Sequence, residues 1–214
     1  MVRKVLLVCG ILSSLLYVAT DILAAMRYEG YSYTSQGISE LMAVGAPTRP
    51  LMVAMSFVYN PLVIAFGMGV WLSARRKRSL RVTGILVLAY GVVSSTGPLF
   101  PMQVRGAGSL ATDAMHLILT SVLVLLLLLS IGFGGAARRG WFRLYSIGTI
   151  LTLLVCGVLA GQQAPQAAAG LPTPWLGVIE RVNVYGWLLW MLVFAVVLLR
   201  GQEGARPRIA ALGD

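Results

Sequence analysis

LMVAMSFVYNPLVIAFGMGVWLSARRKRSLRVTGILVLAYGVVSSTGPLF, residues 51–100, holds two apolar runs, 51–73 and 82–100, on either side of a turn carrying Arg75, Arg76, Lys77, Arg78 and Arg81. Each run is close to the roughly 20 residues that a helix rising ~1.5 Å per residue needs to cross a ~30 Å hydrocarbon core. Neither alternates with period two, and both are about twice as long as a β-barrel strand, so the stretch reads as a hairpin of two membrane-spanning helices.

The same pattern recurs outward from this hairpin at 5–26, 113–133, 143–161 and 179–199. The expected fold is therefore all-α, a polytopic transmembrane helical bundle of six spans, with residues 1–214 forming a single integral membrane domain. Composition agrees: 58% of residues are hydrophobic and 11% charged, and the mean hydropathy is +0.84, outside the range of soluble domains. The start Met-Val-Arg-Lys ahead of an apolar run has the outline of a secretory signal. That run is longer than an ordinary signal core and contains Tyr17 and Asp21, so it is read as a retained first span. Cys9 and Cys156 fall at different depths and are read as packing residues, not as a disulfide.

Basic residues set the expected orientation. Arg3, Lys4, Arg75, Arg76, Lys77, Arg78, Arg81, Arg138, Arg139, Arg143, Arg200, Arg206 and Arg208, 13 of the 17 Lys and Arg, fall on one side of a six-span chain. Arg27, Arg49, Arg105 and Arg181 fall on the other. The positive-inside rule then places both termini in the cytoplasm of a multi-pass protein of the prokaryotic cytoplasmic membrane. The net charge of +10 is accounted for in the same way. The partners expected are the lipid bilayer and anionic lipids at the cytoplasmic face, and nucleic acid is not among them.

The loops on the outer side are the longer ones. Residues 27–50 carry Tyr28, Tyr31, Tyr33, Ser35, Ser39 and Glu40, and 37–44 is expected to form a short helix at the surface. Residues 101–112 carry Arg105, and 162–177 carry Pro165, Pro172, Pro174 and Trp175. Trp175 on this side, with Trp71 and Trp141 on the other, fits aromatic anchoring at two interfaces.

Candidate chemistry gathers at the outer ends of the helices. Asp21 lies ~7 Å below the outer boundary of the first span, where an ionised carboxylate has to face the protein interior. Ser13, Ser14, Tyr17 and Asp21 recur at helical spacing and give that helix an inward polar stripe. Asp113 and His116, three apart, share a helix face and have the makings of a general base or of two metal ligands. A cap from Thr112, a dipole contact from Asp113 and a hydrogen bond from His116 to a neighbouring helix account for them equally well. Glu180 and Arg181 are adjacent and cannot satisfy one another across a helix face, so Arg181 is expected to pair with Asp21, Asp113 or Glu40. Asp21, Glu40, Asp113, His116, Glu180 and Arg181 are together expected to converge on one ligand-binding polar pocket in the outer half of the bundle. Ser94 to Pro98 loosen the end of the third span. Asn60-Pro61 removes a helical donor in the second, and the Gly157 to Gly161 spacing permits close helix contact.

The segments Ser35-Gln36-Gly37-Ile38-Ser39-Glu40-Leu41 before Gly45-Ala46-Pro47, Gly97-Pro98-Leu99-Phe100-Pro101, and Thr112-Asp113-Ala114-Met115-His116 resemble the bacterial and archaeal membrane proteins grouped as domain of unknown function 998. The resemblance implies a bundle of six to seven spans with no assigned activity. It also implies an acid shortly after the Phe-Pro pair, where this chain has Met102 and Gln103.

Several classes are set aside. There is no Gly-rich phosphate loop, no Cys pair at metal spacing and no Gly-x-Ser-x-Gly elbow, so neither a cofactor nor a metal is expected. The single histidine falls short of the several that embedded zinc hydrolases use. Three functional readings stand. The favoured one is a membrane protein with an outward-facing polar pocket that binds a lipid headgroup or small ligand. The second is a membrane-embedded hydrolase or transferase acting on lipid. It has His116 as general base, Asp113 or Glu180 orienting it and Arg181 holding an anionic group, or a triad of Ser39 or Ser94 with His116 and Asp21 or Glu180. The third is a small transporter gated at Asn60-Pro61.

Overall fold

A computed structural model describes residues 1–106 and 110–203. It contains α1 (Val2–Arg27), α2 (Arg49–Ser73), α3 (Arg78–Ser94), α4 (Leu110–Ala136), α5 (Trp141–Ala168) and α6 (Leu176–Glu203), with 3₁₀ turns at Ile38–Met42 and Gly97–Leu99. Among the described residues six helices are long and apolar enough to cross a membrane. Among the described residues there is no strand, and the one β-bridge joins Val44 to Gln103. Helices suit lipid because each satisfies its own backbone N–H and C=O groups without water.

Each helix packs on its neighbours in sequence, and α6 returns to α1, closing a ring. The direction of every step is legible in the contacts. Gly67 meets Leu88, Gly84 meets Trp71 and Gly91 meets Ile64, so position rises along α2 as it falls along α3. Gly10 against Phe66 and Gly69 against Leu6 set α1 antiparallel to α2, and Ser14 on Leu188 with Asp21 on Arg181 does the same for α1 and α6. The described chain therefore starts and stops at one end of the bundle. That end holds Arg3, Lys4, Arg75 to Arg78, Arg81, Arg138, Arg139, Arg143 and Arg200 and is called the basic end; the other, which gathers residues 28–48, 95–106 and 169–175, is called the loop-rich end.

Packing is uneven around the ring. In lipid, helix association depends on close van der Waals fit, for which small residues let backbones approach. Gly67, Gly84 and Gly91 do this at the α2–α3 contact. α6 carries the most buried large side chains, Trp187, Trp190, Met191 and Phe194, each no more than 1% exposed. Trp190 and Phe194 stack at 4.8 Å, and Phe142 of α5 stacks on Phe194 at 5.4 Å. α4 and α5 turn most of their surface outward.

Two helix ends differ most from the sequence expectation. α3 ends at Ser94 because the Ser95 and Thr96 hydroxyls donate back to the carbonyls of Gly91 and Val93, and Pro98 then opens a 3₁₀ turn. α5 runs past Gly161 to Ala168 with Pro165 inside it, since a segment of Ala and Gln favours helix and the proline removes one donor in its last two turns. A Cβ added at Gly157 or Gly161 would meet nothing within 4 Å, so the close helix contact that their spacing permits does not form among the described residues; both glycines are exposed. Both cysteines are free. The side chains of Thr112 and Glu203, along with Arg206, Arg208 and Asp214, lie outside the described residues.

A Cβ at Gly84 would sit 2.6 Å from the Trp71 backbone nitrogen, which cannot yield without separating α2 from α3. Gly84→Ala is expected to cost about 1–3 kcal/mol, read as a lowered thermal midpoint in detergent. Gly148→Ala, where nothing lies within 4 Å, should be neutral or stabilising by up to about 1 kcal/mol. An unchanged midpoint for Gly84→Ala would mean that the two helices pack less closely than this.

Candidate functional site

The loop-rich end is organised by two arginines. Spacing along α1 puts Ser14 and Asp21, seven residues apart, on the face that meets α6, and Asp21 is fully buried. Arg181 of α6 meets it bidentately: Nε donates to Oδ2 at 3.0 Å and Nη2 to Oδ1 at 3.1 Å. The hydroxyls of Tyr185 and Tyr33 donate to Oδ2 at 2.6 and 3.1 Å. The other N–H groups of Arg181 donate to the carbonyls of Tyr33, Gln36 and Gly177 and to the Tyr31 hydroxyl. Its guanidinium carbon lies 3.5 Å from the centre of the Tyr33 ring, a cation–π contact. Gly177 makes the approach feasible, because a side chain there would collide with the Gln36 and Tyr33 carbonyls. Burial pushes the Tyr31 phenol up from its ordinary value, against the opposing pull of Arg181. It stays protonated and donates to the carbonyls of Gln36 and Gly37.

A second clasp joins three loops. Arg105 donates from Nη2 to Glu40 Oε1 at 2.7 Å and from Nε to Oε2 at 3.2 Å. Its remaining donors reach the carbonyls of Leu171 and Ser35 and the Thr173 hydroxyl. Glu40, 5% exposed, also accepts from the Gly37 N–H and the Gln36 amide. The Glu180 carboxylate packs on Gly37 and faces the N–H groups of Ile38 and Ser39 at the start of the 3₁₀ turn, where orphan donors favour an anion.

Asp113 and His116 serve a different segment. Asp113 Oδ1 accepts from the Gln103 N–H at 3.0 Å, and His116 Nδ1 lies 3.0 Å from the Phe100 carbonyl oxygen. A carbonyl can only accept, so Nδ1 is the donor in this contact. Among the described residues no hydrogen bond or ion pair links either residue to Asp21, Glu40, Glu180 or Arg181. Of the six candidates, Asp21, Glu40, Glu180 and Arg181 therefore meet around residues 31–40, while Asp113 and His116 hold the 100–103 segment. That segment connects the two groups through Arg105 and through the Val44 N–H bond to the Met102 carbonyl.

Sequence reasoning passed over Arg105, Tyr31, Tyr33, Tyr185, Gln36 and Thr173. One usable signal was present: Arg27, Arg49, Arg105 and Arg181 are the basic residues that break the charge asymmetry. Arg105 and Arg181 form the clasps, and Arg49 ties the Met42 and Pro98 carbonyls together. The tyrosines left no such mark. Beside the second clasp an open cleft of about 520 Å³ is lined by Ser32, Ser35, Gln36, Arg105 and residues 170–174. Among the described residues no group of three His, Cys, Asp or Glu side chains is placed to hold a metal ion.

These features define a class: a multi-pass helical membrane protein whose loops at one end are bound by arginine–carboxylate pairs. The chain belongs to the family described as "Protein of unknown function (DUF998)", whose model matches residues 11–197. No curated protein and no solved structure matches it.

Asp21→Asn would leave the Arg181 charge buried without a counter-ion, at an expected cost of about 3–5 kcal/mol. Asp21→Asn combined with Arg181→Met should recover a large part of that loss. Thermal unfolding of the variants in detergent checks this, and a double variant as unstable as the sum of the singles would contradict the pairing.

Proposed function

We propose that this protein is a non-catalytic integral membrane protein that binds a lipid headgroup or small polar ligand in an outward-facing site at the loop-rich end. The observation that carries the reading is the cleft beside Arg105, whose walls come from three loops already fixed by the clasps. A preformed wall spares the ligand the cost of ordering those loops. The polar groups of the lining are hydroxyl and amide, set among the apolar surfaces of Leu171, Pro172 and Pro174, and Arg105 is matched by Glu40 with its N–H groups in use. That chemistry suits an uncharged, hydroxyl-bearing group better than a phosphate.

In this reading both termini are cytoplasmic, the membrane is the prokaryotic cytoplasmic membrane, and the basic end meets anionic lipid headgroups. The exposure of Arg75, Arg76, Lys77 and Arg78 supports such contacts. An enzymatic reading draws on one observation, the contact of His116 Nδ1 with the Phe100 carbonyl, which leaves Nε2 outside that hydrogen bond. Among the described residues no serine or threonine hydroxyl is hydrogen-bonded to it, and the binding role is favoured.

Lipid extracts of the purified protein should contain a hydroxyl-rich species in stoichiometric amount, reduced at least several-fold by Ser35→Ala with Gln36→Ala and unchanged by His116→Ala. Lost turnover of a lipid ester in His116→Ala with intact binding would instead favour the enzyme. Neutralising Arg75, Arg76, Lys77 and Arg78 should lower only the co-purifying anionic lipid. A reporter at Asp214 reached from outside intact cells would reverse the orientation.

A further inference from the structure

Among the described residues two buried side-chain polar atoms lack a hydrogen-bond partner, both within the bundle and apart from the clasps: Asn60 Oδ1 of α2 and Trp187 Nε1 of α6. Asn60 is 3% exposed and Trp187 1%. One atom can only accept and the other can only donate. Neither is near a helix end, where loop groups or solvent would supply a partner.

Their surroundings come from four helices. Tyr17 of α1 packs edge-on to Tyr59 of α2 at 5.1 Å between ring centres. Tyr90 of α3 packs on Trp187 at 5.1 Å. The hydroxyls of Tyr59 and Tyr90 face each other and the Trp187 indole N–H. Gly91, next to Tyr90, lies against Ile64 and the Asn60 carbonyl, which brings the Asn60 turn to the same level. Toward the basic end the interior closes on Phe66, Phe142, Trp190 and Phe194. None of the five residues carries a charge.

At this depth the bilayer offers no hydrogen bonds, and an unsatisfied polar group there is costly. The cost is removed by a small neutral molecule able to accept from one group and donate to the other. A charged species is disfavoured, since nothing in the shell would neutralise it. We propose that Tyr59, Asn60, Tyr90 and Trp187 form an internal water-binding site, in which bound water accepts from Trp187 Nε1–H and donates to Asn60 Oδ1. The two tyrosine hydroxyls complete its coordination. Two to four polar partners is the number that buried water typically has. The site couples α2, α3 and α6 at mid-depth, where Pro61 has removed one of α2's own donors.

The test is a double-mutant cycle on the full chain in detergent, with Asn60→Leu, Trp187→Phe and the pair. If water bridges the two groups, each single variant removes one end of the bridge and lowers the thermal midpoint, by about 2–8 °C. The double variant is then less destabilised than the sum, because no polar atom is left unpaired. Additive effects, or a raised midpoint for Asn60→Leu, would overturn the proposal by showing the two groups to be independent and dry. Should the variants fail to fold, a high-resolution experimental map of the native chain decides. Density within about 3.2 Å of both Asn60 Oδ1 and Trp187 Nε1 supports the site, and a featureless interior there refutes it.

Discussion

An ionised carboxylate and a guanidinium cannot stay apart in the half of a helix bundle that lipid surrounds, and the rest of the structure is arranged around that constraint. Asp21 and Arg181 are 160 residues apart and both buried. Their union fixes α6 against α1 and so closes the ring of helices. The Coulombic gain in such a place is offset by the loss of hydration, and a bare pair would contribute little net stability. Here Tyr185 and Tyr33 donate to the carboxylate, and three carbonyls with Tyr31 accept from the guanidinium. The pair therefore carries its own solvation shell, built largely from the loop at residues 31–37.

That shell explains the order of the loops. A loop of some twenty residues between two spans would ordinarily lack reason to adopt one path. In this protein its carbonyls are required by Arg181, its Glu40 by Arg105, and its Gly37 to Ser39 turn by Glu180. Arg105 extends the same logic to the two remaining loops through Ser35, Leu171 and Thr173. Three carboxylates, two guanidiniums and the N–H groups at the start of one turn form a nearly neutral set. Among the described residues it leaves few donors unused, which is what holds the three loops together.

The fold was legible in the sequence because its determinants are local and repeated. Six runs of apolar residues of spanning length, with basic turns between alternate pairs, need no knowledge of tertiary contact. The burial of Asp21 was legible for the same reason, since depth along a helix follows from counting residues. The partner of Arg181 was not, because Asp21, Asp113 and Glu40 have the same chemistry at similar depth and only the path of a loop separates them. Arg105 was hidden further: a single arginine in a glycine-bearing loop has no periodicity to betray it, and its meaning comes from Glu40, 65 residues earlier. Asp113 and His116 share a face, as their spacing requires, yet that face serves the backbone of residues 100–103.

The positive-inside rule treats arginines on the less basic side as noise in a count, and the loop-rich end argues for reading them individually. Three of the four arginines on that side hold groups of the loops. Arg49, Arg105 and Arg181 each tie together backbone or side-chain groups from separate segments, whereas Arg75 to Arg78 are exposed at the basic end. The difference follows from the guanidinium itself: a planar fork of five donors can bind several carbonyls and a carboxylate at once, which an ammonium cannot. Lysine is accordingly absent from the loop-rich side, and its two occurrences, Lys4 and Lys77, both fall at the basic end. A loop that must be held by buried ionic contacts selects arginine, and a turn that need only carry charge accepts either.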